Sequence, residues 1–282
     1  MLDTSTKVIL AACVQRPLVM LRRAVGLPPT LVAQRGGITW SLDLNEGIDF
    51  SIWLLGGFER RTIAAYSRLI KPGAVVFDVG ANIGAHTLPL ARLVGPSGFV
   101  HAFEPVLWAL GKLKASLALN EQLIPRVSLH QMLLSDGEDI PVPGTMYASW
   151  PLGMAPDIHP TLRARALSTE GARSTTLDAA ALALGLPRLD FIKLDVDGRE
   201  CHVVRGAMKT IRRFRPALIV ELSSYVLEEA GESLDGLLDL LAEGGYELHD
   251  VARGSRLPAN RDALKQLVPT GGGINVLGLP KS

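Results

Sequence analysis

The chain has 282 residues, 48% hydrophobic and 20% charged, enough apolar material for a full core in one large domain or one domain with an extension. Its 29 Lys plus Arg against 28 Asp plus Glu leave a net charge of +1, so nothing marks the whole chain as a polyanion binder and no nucleic-acid partner is expected. The two cysteines, Cys13 and Cys201, are too far apart for a metal motif and too few for a disulfide framework, and they read as reduced thiols of a cytoplasmic protein.

The N-terminal stretch KVILAACVQRPLVMLRRAVGL is apolar, but Gln15, Arg16 and Pro17 interrupt it well short of a membrane span. It lacks a small-residue cleavage site after an unbroken apolar core, which argues against a signal peptide. Packing on the main domain or on a partner is expected, with membrane-surface attachment the lesser alternative, supported by Arg16, Arg22 and Arg23 beside apolar residues. ITWSLDL and IDFSIWLL alternate like short strands around the Asn45-Glu46-Gly47 turn, so residues 1–58 read as an N-terminal extension of helix and short strands.

From residue 74 onward, runs rich in Val, Ile, Phe and Leu alternate with helical patterns, the pattern of an α/β fold whose mostly parallel sheet is covered on both faces. The predicted strands are AVVFDV (74–79), FVHAF (99–103), SLHQMLL (128–134), LDFIKLDV (189–196), ALIVEL (217–222), YELHDV (246–251) and INVLGL (274–279). Helices are predicted near 83–94, 106–120, 175–184, 199–213 and 233–243, all within a domain of residues 59–282. Thr175 or Thr176 can cap the third helix, and Arg212, Arg213 and Arg215 fall where a helix C-terminus favours positive charge. Residues 137–174, with five prolines and little periodicity, form an insertion, either over the active-site edge or as an ordinary surface loop.

The first of these strands runs into FDVGANIGAHTLPLA (77–91). A phosphate-cradling loop needs a lysine followed by Ser or Thr, and this turn has no basic residue. A dinucleotide fingerprint needs glycines at 80, 82 and 85, but Asn82 and Ala85 stand at two of them, which disfavours NAD without excluding it. The third ligand class is a nucleoside without phosphate, whose cationic end would suit the carboxylate of Asp78. Glu104, ending the next strand in HAFEP, is placed to accept both ribose hydroxyls, and LLSD brings Ser135 and Asp136 to the same sheet edge.

The ordered set VVFDVGANIGAHT, HAFEP, LLSD, TTLDAA, DFIKLDVDGRE and RPALIVEL resembles the FkbM-type family of S-adenosylmethionine-dependent methyltransferases, from about residue 35 to near the C-terminus. The resemblance implies a Rossmann-like class I methyltransferase fold, a seven-stranded mostly parallel sheet whose last strand is antiparallel. It implies S-adenosyl-L-methionine as cofactor and methyl transfer, usually to a hydroxyl oxygen. Carried over, Asp78, Gly80, Asn82 and Gly84 would hold the methionine end, Glu104 the ribose, and Ser135 and Asp136 would face the adenine. Two departures stand out: His86 where relatives often have an aromatic residue, and DVDG for DVEG, which leaves the role of Asp197 open.

Methyl transfer from a sulfonium is an in-line displacement, so positioning supplies much of the catalysis, but a hydroxyl acceptor must also lose its proton. In DFIKLDVDGRE, period-two alternation puts Phe191, Lys193 and Asp195 on one face and Ile192, Leu194 and Val196 on the other. A lysine in a central strand must be paired, and Asp195, Asp78 and Glu221 are its candidate partners. Lys193 is then either half of a structural ion pair beneath the site or catalytic. Asp195 is the first candidate for base or hydroxyl contact, followed by Glu221 and Asp197; His202, inside a helix, is a weaker one. Asp195 and Glu221 could offer oxygens to magnesium, but two carboxylates do not define a metal site and none is expected. Among the relatives, amino-group methyltransferases often carry an Asn/Asp-Pro-Pro-aromatic segment after the fourth strand, and this chain has none. The expected function is therefore O-methylation of a hydroxyl on a sugar, glycan or natural product, with an NAD-dependent oxidoreductase or a noncatalytic nucleoside-binding protein as alternatives.

Overall fold

The structure, a computed structural model, describes residues 4–153, 158–160 and 162–281, with side chains from residue 9. Residues 1–3 of the expected extension, 154–157 and 161 of the expected insertion, and residue 282 lie outside the described residues.

The N-terminal part consists of α1 (Thr4–Ala24), an antiparallel ribbon of β1 (Thr30–Arg35) and β2 (Ile38–Asp43), α2 (Gly47–Leu55) and α3 (Arg60–Leu69). The ribbon corrects the expected pairing. The partner of ITWSLD is TLVAQR, joined through Gly36 and Gly37, whose φ of +57° and +73° suit a two-residue hairpin turn. IDFSIWLL is not a strand but most of α2: the Asp49 carboxylate accepts from the Asp43 N–H at 2.7 Å and closes the end of β2, and left-handed Gly56 ends the helix.

Then follow β3 (Val75–Val79), α4 (Thr87–Leu93), β4 (Phe99–Phe103), α5 (Leu107–Ala118), β5 (Val127–His130), β6 (Met132–Ser135), β7 (Thr145–Ser149), β8 (Arg165–Ser168) and β9 (Arg173–Thr176). The remainder is α6 (Leu177–Ala183), β10 (Phe191–Leu194), α7 (Glu200–Arg205), α8 (Met208–Phe214), β11 (Ala217–Leu222), α9 (Ser224–Glu229), α10 (Leu234–Glu243), β12 (Tyr246–Asp250), α11 (Arg261–Lys265) and β13 (Ile274–Pro280). Thr176, rather than Thr175, caps α6, its hydroxyl accepting from the Ala179 N–H at 3.0 Å. The expected helix over 199–213 breaks at Gly206, where a Cβ would stand 2.0 Å from the Ser135 carbonyl oxygen. The expected strand SLHQMLL also breaks, at Gln131: β5 stays beside β4, while β6 leaves to pair with β9. Residues 137–174 are not featureless, for β7 and β8 form an antiparallel ribbon.

The main sheet has seven strands in the order β12-β13-β11-β10-β3-β4-β5, parallel except for β13, which runs antiparallel to both its neighbours. This is the expected α/β, Rossmann-like sheet with its last strand reversed. Phe77, Val79, Ile192 and Leu194 pack into the core on one face, Val76, Val100, Phe191 and Ile219 into the core on the other. From β3 the chain winds outward to β4 and β5, then returns to β10 and winds the other way. The crevice at this reversal opens at the carboxyl ends of β3 and β10, where ligands of such sheets bind. No helix among the described residues is long and apolar enough to cross a membrane.

Candidate functional site

The turn after β3 is shaped by backbone crowding. Gly80 has φ +80°, and a Cβ there would stand 1.8 Å from the Asp195 carbonyl oxygen, so only glycine lets the ends of β3 and β10 come this close. Gly84, at φ +88°, packs against Leu113 of α5 and lines neither cavity described below. Asn82 is also left-handed (φ +47°); its side chain accepts from the Ile83 N–H at 2.7 Å and donates to the Ala148 carbonyl at 3.1 Å, tying the turn to β7. Asp78 lies fully buried below the turn. Its Oδ2 accepts from the Thr87 hydroxyl at 2.6 Å, and its Oδ1 has no hydrogen-bond partner.

Glu104, at the end of β4, is buried, with one carboxylate oxygen accepting from the Asn82 N–H and the other from the Val106 N–H, both at 2.8 Å. Burial pushes its pKa up to about 7 against those two bonds. Each oxygen retains capacity for a further bond. The carboxylate lines a cavity of about 320 Å³ whose other walls are Phe103, Val106, Met132–Leu134 and Met146. Ser135 and Asp136 line neither cavity: Ser135 is buried and donates to Asp136 at 3.3 Å, and Asp136 stands 3.6 Å from Arg205. The split of the expected strand at Gln131 accounts for this placement, since it is β6 itself, Met132 to Leu134, that faces the cavity.

A second cavity, of about 600 Å³, adjoins the first, and Gly80, Asn82, Asp195 and Asp197 line both. Its wall is mainly apolar, from Leu10 and Val14 of α1, Leu54 and Leu55 of α2, and Trp150 and Leu152 beyond β7. Its floor is polar and ionisable, formed by Lys193, Asp195, Asp197, Glu221, Glu59 and His86. The Lys193 ammonium is buried and 2.9 Å from Asp195 Oδ2, and the register sets Lys193 beside Asp78. Burial alone would lower the lysine pKa; Asp195, Asp78 and Glu59 outweigh it and raise it, so Lys193 is a fixed cation rather than a base. Burial, reinforced by the carboxylates of Asp195, Asp197, Glu200 and Glu59, pushes Glu221 well above the ordinary range. Asp197, left-handed at φ +48°, is raised for similar reasons, by burial first and then Asp195, Glu200 and Glu104. His202 lines neither cavity and sits 3.8 Å from Glu232. Among the described residues no group of three or more His, Cys, Asp or Glu could hold a metal ion.

Sequence reasoning missed Glu59 and left His86 without a role. Glu59 opens α3 from a left-handed conformation (φ +46°), accepts from the Asn275 amide at 2.8 Å, and stands 3.3 Å from His86 Nε2 without hydrogen-bond geometry. Burial works to raise its pKa, but His86, Lys193 and Asn275 hold it below the usual carboxylate range. His86 Nδ1 meets the Tyr66 hydroxyl at 3.3 Å. The sequence signal was the GGFERRT segment, a glycine pair just before a helix, which an assumed boundary at residue 58 had cut through.

A glycine turn and a carboxylate-lined cavity thus lie at the reversal point of a seven-stranded, mostly parallel sheet with one reversed strand, the architecture of the class I methyltransferase fold. The methyltransferase FkbM domain family matches residues 78–248, more than half of the chain, and the protein belongs to that family of S-adenosylmethionine-dependent enzymes. Over 67 residues, 24% of each protein, it is 45% identical to the 31-O-demethyl-FK506 methyltransferase FkbM of Streptomyces tacrolimicus. Over 222 residues it is 28% identical to the AMB antimetabolite synthetase AmbE of Pseudomonas aeruginosa, a match covering 65% of this chain. The chain thus spans only 10% of the length of AmbE and 24% of that of the Streptomyces protein. Among solved structures, methyltransferase FkbM from Methylobacillus flagellatus aligns with 79% of this chain and 48% of its own at 17% identity, with a TM-score of 0.47. That likeness is loose, and the class rests on the strand order and the family match.

Proposed function

We propose that this protein methylates a hydroxyl oxygen of a small-molecule or glycan acceptor, with S-adenosyl-L-methionine seated in the smaller cavity and the acceptor in the larger. The observation that carries this reading is the shared rim: Gly80, Asn82, Asp195 and Asp197 border both cavities, so two ligands could meet there. The site's chemistry fits the cofactor: apolar walls suit an adenine, the Glu104 carboxylate suits a ribose diol, and the glycine turn lacks the lysine of a phosphate-binding loop, although Arg199 also lines this cavity. When bound, the cofactor supplies an electrophilic methyl group on a sulfonium.

The chain's own groups would do the rest. Asp195, half-buried at the rim and fixed by Lys193, is in place to accept the acceptor's hydroxyl hydrogen and hold the oxygen in line. Lys193 orients Asp195 through their 2.9 Å contact. Glu221, held well above the ordinary carboxylate range by burial and its neighbouring carboxylates, lies on the same floor. Asp78 acts from below, as a neighbour of Lys193. The apolar walls exclude water that would compete with the acceptor. Incubation with S-adenosylmethionine labelled in the methyl group and a panel of hydroxylated and amino acceptors tests the reading. Label on oxygen supports it; label on nitrogen alone, or none with any acceptor despite cofactor binding, contradicts it.

A further inference from the structure

One face of α1 holds the helix to the protein, and the opposite face is exposed among the described residues. Ala12, Gln15 and Val19 are buried; Ala12 and Val19 pack with Leu44, Phe50 and Leu152, and Gln15 donates to the Asn45 side chain at 3.3 Å. Ile9, Leu10, Val14, Met20, Leu21 and Val25 are 52–69% exposed. At 100° per residue the five that lie within α1, Ile9, Leu10, Val14, Met20 and Leu21, fall on one arc opposite the buried residues, and Val25 follows just past the helix end. Across the cavity mouth, Leu54 and Leu55 of α2 are also exposed. Leu10, Val14, Leu54 and Leu55 line the 600 Å³ cavity as well, so the exposed apolar surface continues into it.

Charge identifies the occupant. From Thr4 to Leu42 there is no Asp or Glu, while Lys7, Arg16, Arg22, Arg23 and Arg35 give five positive charges in a chain that nets only +1. Arg16 and Arg23 are exposed beside the apolar arc, and Arg22 donates to the Pro28 carbonyl at the end of the helix. An apolar helix face flanked by arginines suits the boundary between acyl chains and anionic headgroups. A second copy of the chain suits it poorly, because two such faces would bring arginines together with no carboxylate on α1 to meet them.

We propose that α1 seats this protein on an anionic lipid bilayer, its exposed apolar face in the interface and the mouth of the large cavity opening onto it. The docking stands independently of methyl transfer. One consequence rests on the methyl-transfer reading: an acceptor entering from the bilayer is an amphiphile whose hydroxyl reaches Asp195 while its apolar part lies against the α1 and α2 leucines.

Cys13 is exposed on α1 and Cys201 is buried, so a thiol-reactive, environment-sensitive fluorophore reports on α1 selectively. The labelled full chain is mixed with vesicles of equimolar phosphatidylglycerol and phosphatidylcholine, and with vesicles of phosphatidylcholine alone. The expected result is a blue shift and co-sedimentation with the anionic vesicles, weakened by salt. The pair Arg16→Gln and Arg23→Gln should lower partitioning about 30-fold. Met20→Glu with Leu21→Glu should lower it about tenfold or more, while S-adenosylhomocysteine binding by that variant stays at the wild-type level, since neither residue lines either of the two cavities of the site. No association with anionic vesicles, undiminished association of the double-Glu variant, or a vesicle-free dimer dissolved by that same variant would each overturn the docking. Vesicle binding without any S-adenosylhomocysteine binding would instead overturn the methyl-transfer reading and leave the docking standing.

Discussion

Replacing Glu104 with Gln isolates the contact on which nucleoside binding turns. In the free protein burial holds the Glu104 carboxyl up to about 7, so near neutral pH it is only half ionised. A ribose diol donates two hydrogen bonds and therefore favours the carboxylate. Binding draws the pKa down and releases a proton, so affinity rises with pH and levels off above about 7. One pH unit below that midpoint about a tenth of the protein is ionised, so S-adenosylhomocysteine should bind roughly tenfold more weakly at pH 6 than at the high-pH plateau. Hydrogen bonds to a charged group contribute about 1.5–3 kcal/mol each, so Glu104→Gln should weaken binding on the order of 100-fold at pH 8 and less at pH 6. Gln can accept from only one of the Asn82 and Val106 N–H donors, so the variant should also lose about 1–3 kcal/mol of stability. Isothermal calorimetry from pH 6 to 8, with thermal melts to show that both proteins are folded, makes the comparison. The ratio of wild-type to variant affinity cancels the ligand's own titration. A ratio that stays constant with pH, or a variant that binds as tightly as wild type, would refute the reasoning.

The remaining predictions concern the turn, the rim and the core. Gly80→Ala puts a methyl against the Asp195 carbonyl in a left-handed conformation, and should cost at least about 2 kcal/mol and abolish S-adenosylhomocysteine binding, read as a lower melting temperature that the ligand no longer raises. Asp195→Asn should lower kcat by about 10²–10⁴ while leaving S-adenosylhomocysteine affinity nearly unchanged, a split that chemical-step and binding assays separate. Buried Glu200 is raised from 4.5 to about 7, chiefly by burial against its bond from the Val196 N–H. A carboxyl raised in the folded state stabilises fully below its unfolded value and loses that contribution as pH climbs through the folded one. Wild type should therefore lose roughly 3 kcal/mol relative to Glu200→Gln between pH 4.5 and 8, measured by urea unfolding at each pH; parallel stability curves would show that Glu200 does not titrate as described.

Much of this fold could be read from the chain because a doubly covered parallel sheet writes its strands as continuous apolar runs. VVFDV, FIKL and ALIVEL are unmistakable for that reason, and their order with the glycine turn pointed to the crevice. Local signals failed where tertiary contacts decide. SLHQMLL is apolar throughout, and only its partners, β4 for one half and β9 for the other, divide it. IDFSIWLL has strand-forming residues but is helical because Asp49 closes the preceding strand. At the site, Gly80, Asn82, Glu104, Lys193 and Asp195 were legible as strand ends and their turn. Glu59 was not, because it reaches the cavity floor from outside the sheet, held by Asn275 more than two hundred residues away.

The most direct test is a crystal structure of the full chain with S-adenosylhomocysteine. The predicted result is adenosine in the 320 Å³ cavity, its ribose hydroxyls on Glu104, its base against Met132–Leu134, and its sulfur at the rim of Gly80 and Asn82 facing Asp195 across the larger cavity. Adenosine in the 600 Å³ cavity, or a sulfur shut away from Asp195, would contradict the division of the site into a cofactor chamber and an acceptor chamber.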